Sequence, residues 1–226
     1  MTAATAVPDP VHERQTAYAA LATRDDGLAQ LIHRYGTPDP FSWDLLEDAA
    51  GNDAFAELAL HIVSQQISTA AALTIFRRLR DMLSGTIQAA AIVARSADEL
   101  RAAGLSRAKA QSLRDLGERV SDGRLSFQRL ARSDDATAQA ELEEVRGVGP
   151  WSAQMFLLHS LRRPDVFPAA DIGLLRAAQS AFGLPQRPTA PELARRAERW
   201  RPYRAYACAL LWAHGADNPS TSRNNT

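Results

Sequence analysis

The sequence has 226 residues, of which 26 are basic and 26 are acidic, so its formal net charge at pH 7 is zero. Hydrophobic residues make up 46%, which excludes a disordered chain, because disordered sequences are less apolar or carry a larger net charge. The single cysteine, Cys208, excludes a disulfide framework, a cysteine-rich zinc site and a four-cysteine iron–sulfur cluster. Because no run of about 20 apolar residues occurs, we predict no membrane span. From the composition we expect a protein of the bacterial cytoplasm.

Helical patterns follow one another along the chain, whereas long alternations of Val, Ile and Thr and Asn-Gly turns, which are typical of strands, are missing. Ser96 and Glu99 have the spacing of a capping box, which opens a helix that ends near Gly104. We therefore predict an all-α fold. The predicted helices cover residues 54–67, 69–83, 96–104, 106–120, 138–145, 151–162, 171–182, 191–200 and 202–214.

The neutral total hides an uneven distribution of charge. Between Thr37 and Glu57 there is no basic residue, and the six acidic ones are Asp39, Asp44, Glu47, Asp48, Asp53 and Glu57. Between Leu161 and Arg204 there are nine arginines and four acidic residues. The arginines predict either solvated helix faces or a basic face that binds an anionic partner, and these alternatives stay open.

The segment LEEVRGVGPWSA, residues 142–153, predicts a tight hairpin between two helices. Gly147 and Gly149 flank one apolar residue, and both can adopt a positive φ and let another backbone come close. The helix that follows would present backbone N–H groups and a partial positive charge, which suits the phosphate of a nucleic acid. The alternative is an ordinary pair of helices whose glycines serve packing.

A second motif, PDVFPAADIGL at residues 164–174, places Asp171 where an extended segment gives way to a helix. An aspartate there can cap the helix by accepting a backbone hydrogen bond. The functional alternative is a carboxylate that stays ionised at the mouth of a cleft.

Together these motifs resemble the helix–hairpin–helix (HhH-GPD) superfamily of DNA glycosylases, and within it the alkylpurine, or 3-methyladenine, branch. The resemblance covers about residues 55–212 with the motifs in family order. It implies an all-α fold of two lobes with the active site in the cleft between them. One lobe would be residues 55–165 with the hairpin, and the other residues 1–54 plus 166–226. The segments that carry the resemblance are IVSQQIS (62–68), GLSRAKAQSL (104–113), the two motifs above and RWRPYRAYACALLW (199–212).

The resemblance implies a monofunctional glycosylase that flips an alkylated purine out of duplex DNA and hydrolyses its N-glycosidic bond, leaving an abasic site. Asp171 matches the catalytic aspartate, whose carboxylate would stabilise the oxocarbenium-like transition state and orient the attacking water. Trp151 stands where strand-cleaving relatives carry a nucleophilic lysine, so no Schiff base can form. The alternatives are a glycosylase for etheno or deaminated purines and a non-catalytic DNA-binding protein.

The resemblance also implies a base pocket, in which a cationic alkylpurine would stack on an indole face. Core packing is the alternative for its tryptophans. Gln66 occupies the wedge position, where a side chain fills the gap left by the flipped base. The implied pocket residues are Trp151, Trp212, Gln65, Trp43, Tyr206 and Met155.

Phosphate binding is implied for five residues, of which Lys109 could equally be an exposed helix lysine. They are Gly147, Val148, Gly149, Ser152 and Lys109. The backbone carbonyls of Glu143, Val145 and Val148 match positions that hold Na⁺ or K⁺ in relatives, and no cofactor is expected for catalysis. The expected partner is double-stranded DNA with alkylated bases, bound by a monomer.

Overall fold

The computed structural model describes residues 10–43, 49–51 and 53–218, and within these ranges the chain forms α-helices joined by short turns, without a β-strand. The prediction of an all-α fold is therefore confirmed. Three of the six predicted acidic positions, Asp44, Glu47 and Asp48, lie outside the described residues. Among the described helices, none is long and apolar enough to cross a lipid bilayer.

Nine helices of the described residues lie close to the predicted ranges. Two more precede them, and two short ones, Ala89–Val93 and Phe127–Arg132, lie between them. The helices are α1 (Pro10–Arg24), α2 (Asp26–Tyr35), α3 (Ala54–Ser64), α4 (Thr69–Met82), α5 (Ala89–Val93), α6 (Ala97–Ala102), α7 (Arg107–Ser121), α8 (Phe127–Arg132), α9 (Asp135–Glu143), α10 (Pro150–His159), α11 (Ile172–Ala181), α12 (Ala190–Ala197), a 3-10 turn (Glu198–Trp200) and α13 (Arg204–Asp217).

Local side chains fix most helix starts. The capping box is confirmed, because Ser96 accepts from the Glu99 backbone while the Glu99 carboxylate accepts from the Ser96 backbone. Gly104 and Gly123 follow helix ends with φ of 106° and 80°, which only glycine adopts readily. The helix predicted over residues 54–67 ends early, at Ser64, because Gln65 has a ψ of 129°, and Gln66 follows with a left-handed φ of 58°.

The chain divides into two compact units. We call Phe41–Arg163 the hairpin unit; its buried core comes from α3, α4, α7 and α10. We call Met1–Pro40 together with Pro164–Thr226 the aspartate unit, of which residues 10–40 and 164–218 are described. The predicted lobes divided the chain at 54/55 instead of 40/41. Trp43 belongs with the hairpin unit because its ring stacks on the buried ring of His61.

A buried carboxylate joins the separate stretches of the aspartate unit. Asp25, 6% exposed, caps α2 and accepts hydrogen bonds from Arg196 and from the indole N–H of Trp200. Trp200 is fully buried. A buried charge of this kind is tolerated when its oxygens are fully hydrogen-bonded to a paired cation and other donors. The helices that carry Asp171 and Trp212 therefore belong to a unit that also includes the first two helices of the chain.

Candidate functional site

The hairpin between α9 and α10 is the tight turn that its two glycines predict, although the glycines differ in role. Gly147 has a φ of 77°, and a Cβ placed on it would collide with the Ser112 hydroxyl of α7. The positive φ is thus confirmed for Gly147, but the group that comes close to it is a side chain and not the predicted backbone. Gly149 has neither property, because its backbone is extended, with φ −100° and ψ −179°, and a Cβ there would meet open space.

The start of α10 is suited to an anion. Its N-cap, Gly149, provides no side-chain cap, and Pro150 at the first helical position has no N–H to satisfy. The helix dipole leaves a partial positive charge at this end. Arg146, within the turn, is exposed, and its guanidinium forms no ion pair or hydrogen bond with the described residues. Arg146 was missed by the sequence analysis, although its place in the turn was visible there.

Gln65 fastens the segment after α3 to the hairpin. Its side-chain amide donates to the Gly147 carbonyl at 3.0 Å and to the Ser152 hydroxyl at 2.9 Å. Ser152, predicted to bind phosphate, is only 3% exposed, and its hydroxyl is engaged by this bond. Gln65 was predicted to line the base pocket, whereas the contacts of its amide in the structure serve to hold the turn.

Lys109 is engaged by the backbone in this structure, and its role in phosphate binding stays a prediction. Its ammonium donates to the backbone carbonyls of Val63, at 2.8 Å, and Gln65, at 2.7 Å. These carbonyls belong to the last turn of α3 and the residue after it, so the cation satisfies groups that a helix end leaves without partners. Burial lowers the pKa of Lys109. The lysine holds together the end of α3 from which Gln65 extends.

Gln66 combines exposure with backbone strain. It is exposed and has a φ of 58°. This left-handed region costs a non-glycine residue free energy, so it persists only where the surrounding structure imposes it. The next residue, Ile67, is 37% exposed, whereas most large apolar side chains of the described residues are buried. This turn therefore presents a polar and an apolar side chain outward beside the hairpin that Gln65 holds. A wedge role for Gln66 stays a prediction.

Asp171 caps α11 as predicted. Its Oδ1 accepts a hydrogen bond from the Leu174 backbone N–H at 2.8 Å and another from the indole N–H of Trp212 at 3.2 Å. The carboxylate is half-buried, and the adjacent Ile172 is 50% exposed. Two donors thus fix one oxygen of a carboxylate at an accessible helix start. Asp171 and Trp212 are among the predicted site residues that the structure brings into direct contact.

The other predicted pocket residues occupy different environments. Tyr206 is 2% exposed and packs edge-on against Tyr18, so its environment is that of a core residue in the aspartate unit. Met155, 8% exposed, is likewise buried in the hairpin unit. Trp151 and Trp43 are half-buried in the hairpin unit.

Trp43 belongs to a cluster with two histidines. Its ring centroid lies 4.9 Å from that of His61 and 5.4 Å from that of His159. Both ring nitrogens of His61 are buried without a hydrogen-bond partner within the described structure. Burial lowers the pKa of His61 to about 3 and that of His159 to about 4, so both are neutral at pH 7. In the sequence, His33, His61, His159 and His214 have no metal-ligand spacing, which predicts structural or exposed histidines, and no pattern there indicates this cluster.

The arginines between residues 161 and 204 are less available than their number suggests. Arg196 pairs with Asp25, Arg163 with Asp135, and Arg201 and Arg204 with Asp165, while Arg162 lies over the Phe41 ring. Four others form no ion pair or side-chain hydrogen bond within the described residues: Arg176, Arg187, Arg195 and Arg199. A basic face built from this stretch is therefore limited to a minority of its arginines.

The predicted cation site involves backbone carbonyls of the hairpin. The Val145 carbonyl accepts a hydrogen bond from the Val148 N–H at 3.0 Å, which leaves its second lone pair for another partner. The carbonyls of Glu143, Val145 and Val148 would hold such an ion, and its charge would add to the attraction for phosphate. This ion stays a prediction.

Comparison with known proteins gives a family match over most of the chain. The model of the HhH-GPD superfamily base excision DNA repair protein matches residues 60–202. DNA-3-methyladenine glycosylase 1 of Schizosaccharomyces pombe is 28% identical over 194 residues, which are 80% of this chain and 84% of that protein. The chain spans 40% and 34% of the length of two Bacillus subtilis relatives.

Two solved structures are similar along almost the whole chain. The DNA-3-methyladenine glycosidase from Bacillus halodurans is 29% identical with a TM-score of 0.78, and the match covers 90% of this chain and 91% of that one. The 3-methyladenine DNA glycosylase of Schizosaccharomyces pombe, solved in complex with abasic DNA, is 25% identical with a TM-score of 0.77. That match covers 93% of this chain and 99% of the other.

Proposed function

The chain belongs to the HhH-GPD superfamily of base excision DNA repair proteins, and we propose that it is a monofunctional DNA-3-methyladenine, or alkylpurine, glycosylase. It hydrolyses the N-glycosidic bond of an alkylated purine that has been flipped out of duplex DNA, and it acts as a monomer. The observation that carries this proposal is the Asp171 carboxylate, fixed at the start of α11 by the Leu174 N–H and the Trp212 indole. The relatives named as 3-methyladenine glycosylases support it.

The geometry of Asp171 suits a reaction that builds positive charge on a sugar. As the bond between C1′ and the base nitrogen breaks, the electron pair leaves with the base and the deoxyribose becomes oxocarbenium-like. A fixed carboxylate stabilises that cation without reorganising at the moment of reaction. Water then adds to C1′ and loses a proton, for which Asp171 is the acceptor. The proposal assigns no cofactor to these steps.

The identity of residue 151 supports hydrolysis without strand cleavage. A glycosylase that also cleaves the strand attacks C1′ with an amine and passes through a Schiff base. Trp151 has no such nucleophile, and the ammonium of Lys109 is occupied by two backbone carbonyls. Water is therefore the nucleophile, and the product is an intact strand with an abasic site.

We assign an N-alkylated purine as the substrate, because its glycosidic bond is already weak and needs little further activation by the enzyme. Alkylation at N3 or N7 gives the base a positive charge, which weakens the glycosidic bond and favours contact with an indole face. Trp212, whose half-buried indole donates to Asp171, is the residue that we assign to this contact. Binding to the duplex itself is assigned to the uncapped start of α10 and to the exposed Arg146.

The test uses duplex oligonucleotides that each contain one defined lesion: 7-methylguanine, 3-methyladenine, ethenoadenine or hypoxanthine. Release of the alkylated base, with strand breaks only after alkali, is the expected result. Release of ethenoadenine or hypoxanthine alone would contradict the alkylpurine assignment. Strand cleavage without alkali, trapped by borohydride, would contradict the monofunctional assignment, and tight binding without release of any base would identify a DNA-binding protein without catalysis.

A further inference from the structure

Gly173 lies beside the carboxylate to which we assign catalysis. It is the second residue of α11, and Asp171 is its N-cap. A Cβ placed on Gly173 would lie 2.9 Å from Asp171 Oδ1, closer than a carbon and an oxygen can pack. The same Cβ would lie 3.7 Å from Cδ1 of the Trp212 ring. The space that a side chain would need at residue 173 is thus occupied by the carboxylate in its present position.

Neither the backbone nor the core explains a glycine at this position. Gly173 lies within a regular α-helix and is exposed, so no left-handed φ and no buried contact demands it. Glycine is among the poorest helix formers, and alanine would stabilise the helix. A glycine here lowers the helix propensity of α11, and the feature that explains it is the space that it leaves for the Asp171 carboxylate.

Capping by an aspartate does not explain the glycine either. Asp53 caps α3 by accepting from the third helical N–H, and its second helical residue is Phe55. Asp134 caps α9 in the same way, and the corresponding residue there is Ala136. Both caps tolerate a Cβ. What distinguishes the cap of α11 is that the oxygen which accepts the Leu174 N–H also accepts the Trp212 indole N–H.

Resting on the proposed function, we propose that Gly173 is a positioning residue for base release. Its missing side chain allows Asp171 Oδ1 to reach the Leu174 N–H and the Trp212 N–H together. Any Cβ at residue 173 turns the carboxylate away from the indole and changes the direction of its second oxygen. A displacement of this size lowers the rate of the chemical step far more than it lowers affinity for DNA.

The test compares Gly173→Ala with Gly215→Ala in the full chain. Gly215 lies in α13, and a Cβ there would meet the Cβ of Ala177 at 3.5 Å, an ordinary contact. We expect Gly173→Ala to lower the single-turnover rate on a 7-methylguanine duplex by about 10-fold or more, because positioned charge is worth that much. Its dissociation constant for a duplex with a tetrahydrofuran abasic analogue should stay within about threefold, and its melting temperature should not fall. Gly215→Ala should keep the wild-type rate.

Two further measurements separate positioning from a general structural effect. The indole ¹⁵N–¹H resonance of Trp212, identified by its loss in Trp212→Phe, should move in Gly173→Ala and stay in place in Gly215→Ala. The rate losses of Gly173→Ala and Trp212→Phe should be less than additive, because both break one arrangement. A wild-type rate in Gly173→Ala, or an unmoved Trp212 resonance, overturns the inference while leaving the proposed function intact. A wild-type protein that releases no base overturns both.

Discussion

The side-chain amide of Gln65 donates a hydrogen bond to the backbone carbonyl of Gly147, 3.0 Å away, although 82 positions separate the two residues. The same amide reaches the Ser152 hydroxyl in the first turn of α10. One side chain thereby links the strained turn at Gln66 to both sides of the hairpin. The two features to which DNA contact is assigned in the hairpin unit are held in one arrangement before any DNA binds.

Gln65→Leu tests this link. The substitution removes two hydrogen bonds and leaves a buried hydroxyl without its donor, so we expect the free energy of unfolding to fall by about 1–3 kcal/mol. Backbone amides of residues 145–149 should exchange with solvent faster, and affinity for an abasic duplex should fall by about 10-fold, because the hairpin is less ordered before binding. Hydrogen exchange and fluorescence anisotropy measure the two effects.

Gln154→Leu is the matched control, because its amide makes only a 3.4 Å contact with Gln139. It should change neither quantity. Weaker DNA binding by Gln65→Leu with unchanged exchange at the hairpin would mean that Gln65 contacts DNA directly instead of holding the turn.

Lys109→Met and Arg146→Ala should differ in their effect on the salt dependence of DNA binding. Lys109→Met removes a cation that serves one carbonyl in the last turn of α3 and one just after it, so it should lower stability by about 1–3 kcal/mol and leave the slope of log K against log salt unchanged. Arg146→Ala removes an exposed cation without a side-chain partner among the described residues, so it should leave stability unchanged and reduce that slope by about one unit. DNA titrations at four salt concentrations measure both slopes. A smaller slope for Lys109→Met would show that Lys109 is a phosphate ligand.

Asp171→Asn should separate chemistry from folding. Asparagine is a good N-cap and can still accept from the Leu174 N–H, so the melting temperature should change by a few degrees at most. The negative charge that stabilises the sugar cation is lost, and base release in single-turnover experiments should fall by about 100-fold or more. Binding to an abasic duplex should persist. Base release at the wild-type rate would exclude Asp171 as the catalytic residue.

The histidine cluster predicts acid sensitivity. Because folding lowers the pKa of His61 from 6.5 to about 3, the unfolded chain binds a proton between these values and the folded chain does not. The stability that the neutral ring provides is therefore complete above pH 6.5 and is lost as the pH falls towards 3. The expected slope is up to about 1.4 kcal/mol per pH unit for each histidine.

His61→Phe keeps an aromatic ring against Trp43 and removes one titrating group. Urea unfolding at pH 7.0, 6.0 and 5.0 should give a shallower loss of stability for this variant than for the wild type. Identical slopes would show that His61 is already protonated, or solvated, in the folded protein. His12→Phe serves as a control outside the cluster.

What the sequence predicts well is decided by neighbours along the chain. The caps at Ser96 and Asp171 and the turn at Gly147 follow from residue types within a few positions, and all three were confirmed. Lys109 and Tyr206 depended on contacts across long separations, which periodicity cannot supply. A lone lysine at a glycine turn looks the same in sequence whether its partner is a phosphate or a helix end.

The candidate site shows the same division. The resemblance implies that Asp171 and Trp212 belong to one family site. The structure shows in addition that the indole N–H of Trp212 donates to Asp171 Oδ1 at 3.2 Å. Gly173 escaped notice because a glycine in a helical pattern carries no signal of what stands next to it. The sequence allows both glycines of the turn a positive φ, and only the structure shows that Gly149 is an extended N-cap before Pro150.

The aspartate unit is assembled from one stretch that precedes the hairpin unit in the sequence and one that follows it. This arrangement sets the order in which the two units can be completed during translation. The continuous stretch from Phe41 to Arg163 leaves the ribosome complete and can collapse on its own core. Helices α1 and α2 complete their packing only when α13, which carries Trp212, has emerged. A nascent chain interrupted before Trp212 would carry the hairpin without the indole partner of Asp171, so the feature to which we assign duplex binding is complete before the one to which we assign base release.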